Sequence, residues 1–180
     1  MSLVLLPTYT VLFAGRGEWF STNFSVRAVL GPDFFRGFVV WGVLTGGYFY
    51  VLLTSLALTL PQRPLRWTVH ILSVAACTAL GYALLIPYLP GDIPHWARLH
   101  VVMAAGACVL VMAALLLILL ALRLRGLLLL WTGIAAVSGI LFLTAGMVTT
   151  ALEVFFTLCV DLLIRSIWLR IYREKEYDHG

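Results

Sequence analysis

Long apolar runs separated by short polar breaks dominate the chain. Six stretches are strongly apolar: residues 2–15, 37–60, 67–89, 97–122, 126–146 and 152–172. The last five reach the ~20 apolar residues with which an α-helix crosses the hydrocarbon core of a bilayer, and the first is short of it. The breaks are sharp. Pro61 and Pro64 stop the second run, Pro90 stops the third, and Gly146 with the turn Val148-Thr149-Thr150 separates the last two. This pattern predicts an all-α polytopic membrane helix bundle of about six transmembrane helices, built as a single domain over residues 1–180.

Composition strengthens that picture. Hydrophobic residues make up 62% of the chain and charged ones 11%, and the mean hydropathy is +1.03. A soluble domain of 180 residues cannot hide so much apolar surface. The net charge of +4 fits the cationic loops of membrane proteins rather than nucleic-acid binding, because no basic stretch is interleaved with stacking aromatics. The first apolar run ends in Phe13-Ala14-Gly15 but has no Lys or Arg ahead of it. It therefore reads as a retained short span and not as a signal peptide. The three cysteines, Cys77, Cys108 and Cys159, fall in different runs and read as small packing residues rather than a disulfide framework.

Loop charge sets an expected orientation. One side would hold Arg63, Arg66, Arg123, Arg125, Arg170, Arg173 and Lys175, and the other Arg16, Arg27, Arg36 and Arg98. The richer side is expected in the cytoplasm together with both termini, in the plasma (inner) membrane of a bacterium. Trp19, Trp41 and Trp96 fall at expected outer ends and Trp67, Trp131 and Trp168 at inner ends, as an aromatic belt. The tail from residue 170 to 180, which includes His179, mixes both signs and reads as a solvated helix end.

Small residues mark expected helix contacts, since association in lipid depends on close backbone approach. They are Gly42 and Gly46, then Ser73, Cys77 and Gly81, then Ala135 and Gly139. Whether these faces pack within the chain, against a second copy or against another membrane protein stays open.

Charged groups in hydrocarbon require a reason. Asp161 stands about nine residues into the last run and Arg165 follows at i+4, the spacing at which two side chains meet. Glu153 opens the same helix. One reading is an internal ion pair or gate formed by Asp161 and Arg165, with Glu153 at the interface. Another is a polar pocket or proton-responsive site. Arg165 is also placed to snorkel toward headgroups.

A second polar group gathers at the expected outer face. It contains Asn23, Arg98, His100 and Glu153, with Asp92 and His95 nearby. The readings are helix caps, a pocket for a lipid headgroup or small anion, or a metal site. His95 and His100 are five apart, not the i, i+4 pair of a helical zinc site. His70 and His100 fall at opposite ends of the bundle and cannot share one haem iron. No nucleophile triad or phosphate loop occurs, so no cofactor and no metal are predicted. Asn23-Phe24-Ser25 forms a glycosylation sequon.

These features together resemble a known superfamily. They are a short first span, a polar outer loop Phe20-Ser21-Thr22-Asn23-Phe24-Ser25, His100 in Leu99-His100-Val101-Val102, and Glu153 in Ala151-Leu152-Glu153-Val154. The chain resembles the six-span superfamily of the damage-regulated autophagy modulators and FGF-receptor-activating proteins, and bacterial membrane domains of unknown function similar to them. The resemblance implies one outer-leaflet cluster of Asn23, His100 and Glu153, and a link to lipid handling, autophagy or signalling. Two departures stand out. The outer loop lacks the acid of the family's Ile-Ser-Asp or Ile-Ser-Glu motif, and Val154 replaces the aromatic of its Glu-Trp.

The expectation is a non-enzymatic multi-pass protein that binds or handles a membrane lipid or other amphiphile through Asn23, Arg98, His100 and Glu153. Alternatives are a small proton-coupled transporter or accessory subunit using Asp161, and a membrane-embedded metal-dependent hydrolase using His95, His100, Asp92 or Glu153.

Overall fold

The computed structural model describes residues 2–86 and 88–178, with side chains from 4 to 86 and 88 to 173. His179 and the Lys175 side chain, which entered the reading of the tail, lie outside what is described. Every described element is helical: α1 (Ser2–Ala14), α2 (Phe24–Ala28), α3 (Pro32–Leu58), α4 (Arg63–Leu85), α5 (Pro94–Ala121), α6 (Arg125–Ala145) and α7 (Thr150–Asp178). Four of them, α3 to α6, are long and apolar enough to cross a membrane. α1 is apolar and shorter.

Local signals place the boundaries. Pro32, Pro64 and Pro94 sit in the first turns of α3, α4 and α5, where the missing N–H costs nothing and the fixed φ suits a helix. α3 therefore begins five residues before the expected residue 37, with Asp33 in its first turn. Gly15 (φ 56°) follows α1, and Gly146 (φ 68°) ends α6, in the left-handed region that glycine tolerates. The α5–α6 turn uses the same geometry without glycine. Leu124 N donates to Leu119 O (3.0 Å) and Arg123 N to Leu120 O (3.2 Å), a Schellman motif whose left-handed residue is Arg123 at φ 54°. Arg123→Gly is therefore expected to raise stability by about 1 kcal/mol, read as a higher midpoint of thermal unfolding in detergent.

α4 packs against α3 and α5, and α7 against α6 and α1. The main core lies among α3, α4, α5 and α7, built from Leu53, Leu56, Val69, Leu115, Ile118, Leu163 and Ile167. A smaller core holds α1 and α2 against α3 through Ala14, Phe24, Phe38 and Trp41. There Phe24 meets Phe13 and Trp41 edge-on, at 5.0 and 4.8 Å between ring centroids. Trp41 Nε1 donates to Thr10 Oγ1 (3.1 Å) and the Tyr9 hydroxyl to Gly37 O (3.1 Å), which fastens α1 to α3.

The small-residue faces divide. Gly42 and Gly46 face α4 within the chain, where Leu84 and Leu80 fill the space their missing side chains leave. Ser73 is buried and its hydroxyl donates to Val69 O (2.8 Å). Gly81 has nothing within 4 Å of an added Cβ and lines an open groove between α3 and α4. Ala135 and Gly139 are exposed on α6, and an added Cβ at Gly139 meets nothing within 4 Å. A small residue permits close approach but does not supply the partner.

Candidate functional site

The short helix α2 organises the polar end of the bundle. Asn23 is its N-cap, and its Oδ1 accepts from Val26 N (2.7 Å), so one orphan donor of the first turn is satisfied. Its amide nitrogen donates to Val148 O (3.2 Å) in the α6–α7 turn. The sequon asparagine is thus buried and engaged at both ends of its amide. Glu153, on α7, accepts from Phe24 N (2.7 Å) through Oε2, closing a second donor of α2.

The exchange is reciprocal. Thr150 N donates to Thr22 O (2.7 Å) and Ala151 N to Trp19 O (2.9 Å), so the loop before α2 caps α7 with its carbonyls. Thr149 Oγ1 accepts from Leu152 N (3.2 Å) at the same helix start. Each helix thereby closes the orphan groups of the other.

His100 carries the third link. It is 4% exposed; its Nδ1 lies 2.9 Å from Ile86 O and its Nε2 2.7 Å from Ser25 Oγ. A carbonyl only accepts, so Nδ1 carries a proton and donates. In the neutral ring Nε2 then accepts the Ser25 hydroxyl. Ile86 is the C-cap of α4, so His100 on α5 satisfies an end carbonyl of α4 while holding α2.

A hydroxyl beside an imidazole also describes a nucleophile and its base. Here the neighbouring backbone donors Phe24 N and Val26 N are already taken by Glu153 and Asn23. No free pair of donors is left beside Ser25 to hold a developing oxyanion. Among the described residues no three His, Cys, Asp or Glu side chains come together as a metal site.

The structure brings Asn23, His100 and Glu153 into one layer and leaves Arg98 out of it. Arg98 is exposed, as are Asp92 and His95. The cation that does belong to this end is Arg27, which the sequence reading counted only as a loop charge. Its guanidinium donates to Phe13 O (2.9 Å) and to Ala14 O, closing the C-terminus of α1. Ser25 and Thr22 were likewise missed as partners. The signal for them was Asn23 followed by a potential helix start.

The interior pair differs from expectation. Asp161 is 4% exposed, and Oδ1 accepts from the Tyr48 hydroxyl at 2.6 Å. Arg165 turns outward and is exposed. The expected Asp161–Arg165 ion pair is absent, since the pair recorded among the described residues is Arg36–Asp33. A tyrosine across the bundle satisfies the buried acid, and Arg165 points away from it on the outer face of α7.

Between these polar layers lies a partly open cavity of about 70 Å³ lined by α3, α4, α5 and α7. Trp41, Thr45, Ala104, Cys108, Phe156 and Thr157 are on its wall. The Thr45 hydroxyl is buried there without a hydrogen-bond partner. Half the ~150 Å³ of a cavity that admits benzene is room for a few methylenes or a pair of waters. Compared with known family models, curated proteins and solved structures, the chain matches none.

Proposed function

We propose that the chain is a non-enzymatic, multi-pass membrane protein that holds an amphiphile, polar end at the α2 layer and apolar end in the cavity beneath it. In this reading α1 and α3 to α7 lie across the bilayer and the arginine-rich end faces the cytoplasm. The supporting observation is the stacking of the two features on the same helices. On α5, His100 is followed one turn inward by Ala104 and then Cys108; on α7, Glu153 is followed by Phe156 and Thr157. Glu153 contributes only one carboxylate oxygen to Phe24 N, so the other is available to a headgroup donor.

Two substitutions test this at its two ends. Glu153→Gln keeps an acceptor for Phe24 N and removes the charge. Ala104→Leu fills the cavity. Native mass spectrometry of protein released from nanodiscs of mixed phosphatidylethanolamine and phosphatidylglycerol should show a retained lipid that either variant weakens by roughly tenfold, about 1.4 kcal/mol. Equal retention by wild type and both variants refutes the site.

A further inference from the structure

Arg165 poses a separate problem of charge. It stands 15 residues into α7, about 22 Å along the axis, while the hydrocarbon core is about 30 Å thick. Its stripe is apolar and outward-facing. Leu162, Leu169 and Tyr172 are exposed at 54%, 49% and 63%, and with Arg165 they recur at spacings of three and four, so they share one helix face. One turn on, Trp168 and Tyr172 pair at 5.8 Å between ring centroids, the kind of aromatic pair that sits at headgroup level.

No carboxylate of this chain comes within ion-pair distance of that guanidinium among the described residues. The nearest acid in sequence, Asp161, is turned inward onto Tyr48. The next acidic positions along the helix, Glu174 and Glu176, are nine and eleven residues further, about 13 Å or more. A cation on a lipid-facing stripe needs an anion from its surroundings, and the bilayer offers one kind in quantity, the phosphate of a phospholipid. Arginine suits it, because the planar guanidinium pairs with two phosphate oxygens at once. Arg170 and Arg173 are also exposed toward the helix end and add to the field that draws an anionic headgroup.

We propose that Arg165 binds the phosphate of an anionic phospholipid from the leaflet at the arginine-rich end of the bundle. The headgroup lies toward Tyr172 and Arg173, and an acyl chain runs back over Leu162. This site is distinct from the α2 layer and rests only on α7 crossing the bilayer.

The test is competition between phosphatidylglycerol and phosphatidylcholine in mixed nanodiscs, with the lipids still bound after gentle release counted by native mass spectrometry. The wild-type chain is expected to favour phosphatidylglycerol by roughly tenfold. Arg165→Gln, at an exposed position, should fold and lose that preference. Arg165→Lys should keep part of it, since charge is retained without the bidentate fork. Arg125→Gln, an equal loss of exposed charge at the same end, should leave it nearly intact. If Arg165→Gln keeps the preference, or if Arg125→Gln removes as much as Arg165→Gln does, the phosphate site is refuted. Leu162→Cys, in a chain whose Cys77, Cys108 and Cys159 are changed to Ala, separates this from failure of the span in sealed vesicles. Labelling by an impermeant maleimide would show α7 in water, whereas protection with an unchanged preference in Arg165→Gln would refute the site alone.

Discussion

Tyr48→Phe is expected to destabilise the bundle by about 2–3 kcal/mol, well above the cost of an average hydrogen bond between membrane helices, ~0.6 kcal/mol. The difference comes from what is left behind. The tyrosine ring packs against the main core and is retained in phenylalanine, so little packing is lost. Asp161, at 4% exposure, keeps its carboxyl but loses the hydroxyl 2.6 Å away. A buried acceptor stripped of its donor carries its full desolvation cost, about 1–3 kcal/mol and more for a charged group. The double change Tyr48→Phe, Asp161→Leu should recover most of the loss, because replacing both partners by apolar groups can be nearly neutral. Unfolding titrations in detergent measure all three variants. A loss below about 0.5 kcal/mol for Tyr48→Phe would mean that Asp161 finds another donor and that the pair is incidental.

Gly42→Leu is expected to cost about 3 kcal/mol or more, at the upper end of overpacking penalties. A Cβ at Gly42 would overlap the Leu84 side chain, whereas one at Gly46 would stand 3.3 Å from Leu80 Cδ2. Gly42→Ala should cost less than Gly42→Leu, and Leu84→Ala should relieve Gly42→Ala when the two are combined. Gly47 and Gly81 supply the control. An added Cβ at either meets nothing within 4 Å, so Leu at these positions should be tolerated. Thermal unfolding of the five variants decides the matter. Equal losses at Gly42, Gly47 and Gly81 would show that the added side chain itself, not the α3–α4 contact, is the cause, since Leu is a better helix former than Gly.

Those two sites show what the sequence could and could not convey. The long runs were legible because hydropathy accumulates over twenty residues and needs no partner. Gly42 and Gly46 were legible as a contact face, but the same reasoning promoted Ala135 and Gly139, which face outward. The start of α3 lies in Pro32 and Asp33, a capping signal that a count of apolar residues does not register. α2 is five residues long, too short for any periodicity, and only its cap Asn23 was visible. The partner of Asp161 was beyond reach. The i+4 rule named Arg165, yet the hydroxyl that binds the acid is 113 residues away. Local spacing lists who can meet, and in a bilayer an arginine near a helix end gains more by reaching outward than by staying with a neighbour.

The mutual capping of α2 and α7 also has a bearing on the order of assembly. The Phe24–Glu153 bond joins residues 129 apart and the Thr150–Thr22 bond residues 128 apart, so these closures carry a large loop-closure entropy and belong among the late events of folding. In a chain made from its N-terminus, α2 and the carbonyls of Trp19 and Thr22 emerge long before their partners on α7. Until the last helix arrives, the first-loop backbone must be hydrated or held by the insertion machinery. α7 then acts as the clasp that ends the wait, so the final helix governs when the earliest loop reaches its native form.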